Sequence, residues 1–254
     1  MHTDAEPLSF VGSLGLDLFF EDGFTHGRAE LLPEMLAPGT DRPRIGVLAT
    51  MVDMVAGFLP TGPVNPTVDL RVSLVARPPS VGWVHLVCRP AKLGRRLFVG
   101  ETLLHTGDVG QPFARSTITF MNERMAHGSG FGAPPMPVAI AAPSFDELLR
   151  PRYPDENTVE MDAHPWVSNG PGGTIQGGAQ ALLAEIAAER ATGSAGLAVV
   201  DLDIRFLNRV RSGPVSASAE VSTRDLDDAF VRVAISDLGD DGRLVSLVNL
   251  ICRP

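Results

Sequence analysis

Cysteine is nearly absent. The 254 residues hold two, Cys88 and Cys252, with no metal-type spacing and no basis for a disulfide framework. Cys88 lies in an apolar, strand-like run, and its thiol reads as buried core. Long apolar runs are missing too. The longest, residues 45–60, contains Asp53 and falls short of the ~20 residues a bilayer span needs. The first seven residues, MHTDAEP, are polar and acidic, unlike a secretory signal. A cytoplasmic location with no membrane partner is expected. Basic charge is outweighed: 21 Lys and Arg against 30 Asp and Glu give a formal charge of −9. That argues against broad nucleic-acid binding, which needs a positive surface to displace counterions. Arg77, Arg95, Arg96 and Arg209 read as solvated charges, although one or two suit the phosphates of a small anion. The six histidines make no spaced pair for a metal, and His85 and His164 read as strand residues. What remains, 44% hydrophobic and 20% charged, is the composition of an ordinary globular chain, long enough for one large or two small domains.

The chain carries an internal repeat. In residues 174–190, TIQGGAQALLAEIAAER, a Gly-Gly pair opens a helix with Ala179, Leu182, Leu183 and Ile186 at helical spacing, and Glu185 follows Gly178 by seven residues. In residues 44–58, RIGVLATMVDMVAGF, Asp53 follows Gly46 by seven. Both offsets between the copies are 132 residues, since 185 − 53 and 178 − 46 agree. The same offset relates Pro33 to Pro165, Val68-Asp69-Leu70 to Val200-Asp201-Leu202, Arg77 to Arg209, Phe98-Val99 to Phe230-Val231 and Gly110 to Gly242. A period this long marks a duplicated domain rather than a solenoid of short repeats. Residues 1–121 form the first unit and 156–254 the second. The Gly-, Ala- and Pro-rich stretch within 122–155 links them, ending in a short helix over 144–149 with Ser144 as N-cap and Glu147 completing a capping box.

Within each unit, one helix precedes a meander of strands. Residues 1–10 read as a loose start, with strands over 14–21 and 26–32. The first helix spans 45–58, and strands follow over 67–76, 83–89, 95–105 and 113–121. In the second unit, 158–164 takes the place of 26–32, and strands follow over 198–207, 214–222, 229–237 and 243–252. One helix followed by long strands predicts an α+β fold, an antiparallel sheet wrapped about the helix. Helix 45–58 is apolar on nearly every face, as a fully buried helix must be. Asp53 therefore stands out, because an ionised carboxylate in apolar surroundings is costly unless it is partnered or functional. For Glu185, a solvated helix position and a functional one stay equally open. Thr67 is as readily an ordinary strand residue, Gly177 and Gly178 can simply permit tight packing, and Asp69 and Asp201 read as outward-facing, salt-bridged acids.

A buried helix with glycine at its start and an acid near its middle, wrapped by an antiparallel sheet, resembles the hotdog fold. The motif is similar to the phenylacetate-pathway (PaaI-like) branch of acyl-CoA thioesterases. The residues that carry the resemblance are Asn169, Gly173-Thr174, Gln176-Gly177-Gly178 and Glu185, with Gln176 where that family has His. In the first copy they are Gly46 and Asp53, after Arg44-Ile45. The resemblance implies a tandem double hotdog whose sites lie at the seams between the units. One seam combines Asp53 and Thr67 with Gly177, Gln176 and Asn169. The other combines Glu185 and Val199 with Ile45 and Arg44 and lacks the hydroxyl and the first glycine, so that the first seam alone is expected to be complete, with activity at one or both left open. A backbone N–H at a helix start can hold a developing oxyanion, while the carboxylate attacks or activates water. The implied activity is hydrolysis of acyl-CoA or another acyl thioester, with no cofactor beyond the coenzyme A of the substrate. A homo-oligomer of the tandem chain stays open, as do a non-catalytic acyl-CoA-binding protein and a hotdog hydratase or dehydratase. Met51, Met54, Val55, Phe58, Leu182, Leu183 and Ile186 would wall a pocket for a neutral aliphatic or aryl acyl group.

Overall fold

The structure, a computed structural model, describes residues 9–58, 66–107, 111–121, 144–168, 174–193, 197–225 and 228–254. The core of the linker and Asn169 lie outside them. Among the described residues there are eleven strands: β1 (Asp17–Glu21), β2 (Phe24–Leu31), β3 (Thr67–Leu74), β4 (Gly82–Leu93), β5 (Leu97–His105), β6 (Ala114–Met121), β7 (Thr158–Met161), β8 (Ala198–Phe206), β9 (Val215–Arg224), β10 (Ala229–Asp237) and β11 (Arg243–Arg253). Their period-two patterning decides which side chains enter the core. In β6, for example, Ala114, Ser116, Ile118 and Phe120 are buried, while Arg115, Thr117 and Met121 are exposed. All eleven make one antiparallel sheet in the order β1-β2-β4-β5-β6-β3-β8-β11-β10-β9-β7.

Reading outward from the β3–β8 neighbours gives β6, β5, β4, β2 on one side and β11, β10, β9, β7 on the other. The offset of 132 carries β5 (Leu97–His105) onto β10 (Ala229–Asp237) residue for residue. At the junction, Asp69 faces Arg205, Arg71 faces Asp203 and Ser73 faces Asp201. Positions 71 and 203 differ by 132, so each faces its own counterpart, and the flanking pairs exchange under the same offset. This is the register of an approximate twofold axis through the Arg71–Asp203 pair. Arg71 also reaches Asp201 at 3.0 Å across the junction, and Asp201 accepts a hydrogen bond from Ser73.

Two long helices, α1 (Ile45–Gly57) and α3 (Gly177–Thr192), pack against the sheet and against each other; the short α2 (Phe145–Leu148) lies between them in sequence. α1 is buried continuously from Ile45 to Val52, as its all-round apolar sequence requires. The helices approach most closely at two glycines. A Cβ on Gly46 would lie 2.6 Å from the Leu182 backbone, and one on Gly178 would lie 2.0 Å from Thr50 Oγ1. These contacts are again reciprocal under the 132 offset, and only glycine permits them.

Some local expectations change. The first strand begins at Asp17, not residue 14, because Gly15 adopts a left-handed conformation (φ 58°) after a 3-10 turn over Gly12–Leu14. The chain start is not loose at residue 10: Phe10 is fully buried, stacks edge-on against Phe145 and Trp166, and donates its N–H to the Trp166 carbonyl. Ser144 caps α2 as expected, accepting from the Glu147 N–H at 3.3 Å. His164 sits in a loop beyond β7, while His85 is in β4.

Candidate active site

The helix packing sets up two related seams. In the second, Glu185 lies one turn beyond Leu182, which touches Gly46, so its carboxylate reaches the start of α1. It accepts from Ile45 N–H at 3.0 Å and from Gly46 N–H at 2.8 Å. Glu185 is buried, not a solvated helix residue. Arg44, the α1 N-cap, is buried beside it, 3.6 Å from Glu185, and bonds both oxygens of Asp146 in α2 and one oxygen of Glu189. Burial pushes the Glu185 carboxyl up to about 8, against the pull of Arg44 and the two amides. Burial works against the Arg44 cation, but Glu185, Asp146 and Glu189 together outweigh it and hold the guanidinium charged. The amides at this helix start are thus occupied by a protein carboxylate, and Val199 stands where a hydroxyl would be.

The first seam has the same frame with different contents. Asp53 lies one turn beyond Thr50, which touches Gly178 at the start of α3. Asp53 is one methylene shorter than Glu185. Its carboxylate accepts from Thr67 Oγ1 at 2.5 Å, and among the described residues it takes neither the Gly177 nor the Gly178 amide. Nothing else described takes them. Asp53 retains some accessible surface as a residue, but its carboxyl is desolvated, and that burial raises it from 3.8 to about 6 while the Thr67 hydrogen bond pulls it back. Gln176, the α3 N-cap, is buried; its Nε2 reaches the Ser168 carbonyl at 3.5 Å, and its Oε1 has no partner among the described residues. Under the 132 offset Gln176 corresponds to Arg44, so a neutral amide stands where the other seam has a charge.

The structure joins Asp53 to Thr67, sets Gln176 and Gly177 at the start of α3 beside the Gly178–Thr50 contact, and places Glu185 at the start of α1. Gly177 also packs tightly: a Cβ there would lie 2.8 Å from the Phe206 ring. Arg44, Asp146, Glu189 and Phe206 carry roles that sequence reasoning did not assign beyond Arg44's place in the seam. The sequence carries one usable signal for them, the 132 offset itself, which sets Glu189 against Gly57 and Arg44 against Gln176. Neither thiol is suited to nucleophilic chemistry, since burial raises Cys88 and, with Glu189 and Glu185 nearby, pushes Cys252 up to about 12. Among the described residues no helix is long and apolar enough to cross a membrane.

No protein-family model and no curated protein matches the sequence. Solved structures do match the fold. The tesB protein of Mycobacterium avium subs paratuberculosis is similar with a TM-score of 0.67 at 15% identity, over 96% of this chain and 97% of that one. An acyl-CoA thioesterase II from Mycobacterium marinum gives 0.59 at 13%, over 96% and 97%. A 12:0-ACP thioesterase from Umbellularia californica gives 0.62 at 11%, over 93% and 100%. A further match, over 96% of this chain at a TM-score of 0.65 and 12% identity, is a protein from Alicyclobacillus acidocaldarius described by its hot dog fold. The chain has the hotdog fold.

Proposed function

We propose that the chain is a tandem double hotdog, with units at 1–121 and 156–254, that hydrolyses acyl thioesters at one composite seam. The observation that carries this reading is the contrast between the seams. Where Glu185 fills the amides of α1, Asp53 is held by Thr67, and among the described residues nothing takes the amides of α3. A pair of amides at the start of a 16-residue helix, untaken among the described residues, is a ready donor site for a developing oxyanion, assisted by the helix dipole. The thioesterase names of the structural neighbours point the same way, and the acyl carrier is coenzyme A or an acyl-carrier protein.

In this reading the thioester carbonyl accepts from the Gly177 N–H, and Asp53 faces the carbonyl carbon. Desolvation makes the ionised Asp53 a stronger base than a solvated aspartate. Asp53 either takes a proton from water as that water attacks, or attacks the carbonyl itself to give an anhydride that water then opens. In both routes the C–S bond breaks and the departing thiolate collects a proton. Thr67 fixes one carboxylate oxygen and leaves the other for the substrate. Gln176, whose buried Oε1 has no partner among the described residues, completes this reading of the seam.

Thiol release from a panel of acyl groups on both carriers tests the reading. Wild-type protein releases thiol, Asp53→Asn loses at least ~10²-fold in kcat, and Glu185→Gln keeps most activity. Binding without release would make the chain a ligand-binding protein. Loss on Glu185→Gln with retention in Asp53→Asn would place the chemistry in the other seam.

A further inference from the structure

The formal charge of −9 is unevenly spread along the chain. Between Asp69 and Glu101 there is no acid, while six residues are Lys or Arg, among them Lys92, the only lysine in the sequence. Three of the six, Lys92, Arg95 and Arg96, cluster on the hairpin that joins β4 to β5. Gly94 donates its N–H to the Leu97 carbonyl at 2.9 Å, which leaves Arg95 and Arg96 as the two residues of the loop. Two-residue hairpin loops are built mainly from Gly, Asn and Asp, so turn chemistry does not account for adjacent arginines. All three cations are exposed. Among the described residues none of them is in an ion pair. Arg89 differs, lying over the Phe24 ring and opposite Glu101. Leu93, 75% exposed, adds an apolar surface beside the three charges.

The sheet register ties this hairpin to Asp53. Thr67, which holds Asp53, pairs with Phe120, Phe120 with Phe98, and Phe98 with Leu93. Three strand spacings of ~4.8 Å put the hairpin ~14 Å from Thr67. The second unit repeats the row with the opposite charge at its end. Val199 pairs with Cys252, Cys252 with Ala229, and Ala229 with Arg224, and the sequence there continues Asp225-Leu226-Asp227-Asp228. The 132 offset sets Asp227 and Asp228 against Arg95 and Arg96. The cationic hairpin thus shares its row with Asp53 and Thr67, and the acidic one shares its row with Val199. We propose that Lys92, Arg95 and Arg96 bind the phosphate groups of coenzyme A. The inference rests on the thioesterase reading of the Asp53 seam and deepens it by naming the carrier. About twelve bonds of the pantetheine arm separate the sulfur from the diphosphate, the equivalent of four residues of extended chain, or ~14 Å. A thioester held at Asp53 therefore brings the phosphates to the hairpin. Guanidinium groups match phosphate geometry and stack on aromatic rings, so the two arginines and Leu93 suit a ligand that carries both phosphates and an adenine.

The test compares the full-length wild-type chain with the double variant Arg95→Gln, Arg96→Gln, with circular dichroism and melting temperature reporting its folding. One acyl group is offered on coenzyme A, on pantetheine, which carries no phosphate, and on acyl-carrier protein. Thiol release gives kcat and KM, and calorimetric titration with coenzyme A gives Kd independently of turnover. Losing two charge-assisted phosphate contacts should raise KM for acyl-coenzyme A and Kd for coenzyme A by ~10-fold or more, with kcat unchanged and acyl-pantetheine unaffected. Added salt should weaken wild-type binding of coenzyme A more than that of the variant. Because Lys92 is the only lysine, amine acetylation read by mass spectrometry reports on the hairpin directly; coenzyme A should protect Lys92, and pantetheine should not. Equal losses on coenzyme A and pantetheine, no loss on either, or a loss confined to acyl-carrier protein overturns the inference. So does a change in sedimentation with Kd unaltered, which would assign the hairpin to contact between copies. Failure of the parent reading looks different: wild-type protein releases no thiol, yet the two arginines still set Kd for coenzyme A and Lys92 is still protected.

Discussion

Replacing Asp53 by asparagine should separate catalysis from stability in opposite directions. The carboxyl rises from 3.8 to about 6 on folding, chiefly through desolvation. A group raised in the folded state favours folding fully below its unfolded pKa, and that advantage is lost as pH climbs through the folded value. Wild-type protein thus carries the cost of an ionised, desolvated Asp53 above pH ~6. Roughly two pKa units at 1.36 kcal/mol each make this about 3 kcal/mol. Asparagine keeps the shape and can still accept from Thr67, but it never ionises. At pH 8 the variant should be more stable by up to ~3 kcal/mol, which at ~2–4 °C per kcal/mol for a chain of this size gives ~6–12 °C in Tm. Near pH 4 the gain should vanish. Calorimetric melts of both proteins between pH 4 and 8, alongside thiol release, measure the two effects together. A variant that melts lower at pH 8, or a Tm difference independent of pH, would refute the claim that Asp53 is a desolvated titrating group.

Other outcomes follow from the same contacts. Thr67→Val removes a hydrogen bond to the charged carboxylate worth ~1.5–3 kcal/mol, so the acid limb of kcat/KM should move from about 6 upward by ~1–2 pH units; a pH–rate profile checks this. Arg44→Met leaves Asp146, Glu185 and Glu189 without their shared cation and should cost ~3–5 kcal/mol in chemical denaturation, far more than Glu185→Gln. Gly177→Ala drives a methyl against Phe206 and should lower kcat/KM, with Phe206→Leu restoring part of the loss.

Long-range pairing was unusually legible here, because the duplication supplied a ruler. The 132 offset, read from residues such as Gly46 and Gly178, anticipates which strands correspond and that Glu185 meets the start of α1. The burial of α1 followed from its lack of a polar face, and the strand periods followed from alternation. Contacts that break the symmetry were not legible. Arg44 and Asp146 are 102 residues apart, and Asp146 lies in a segment whose composition signals only a connection with a short helix. No local pattern says that a surface-type residue there turns inward to meet a buried guanidinium. Phe10 escaped for the same reason, since its partners Phe145 and Trp166 come from the other half of the chain.

The β3–β8 junction also decides which halves can meet. Arg71 faces Asp203 on the axis, so an opposite charge stands at the one point where a symmetric pairing would set a residue against itself. Two first units joined through β3 would bring Arg71 against Arg71, and two second units through β8 would bring Asp203 against Asp203. Like charges directly opposite on neighbouring strands are unfavourable by ~0.2–1 kcal/mol, and Arg71 would also forfeit Asp201. Were the two halves produced as separate chains, this single pair would bias them toward mixed couples, the combination that sets Thr50 of α1 against Gly178 of α3.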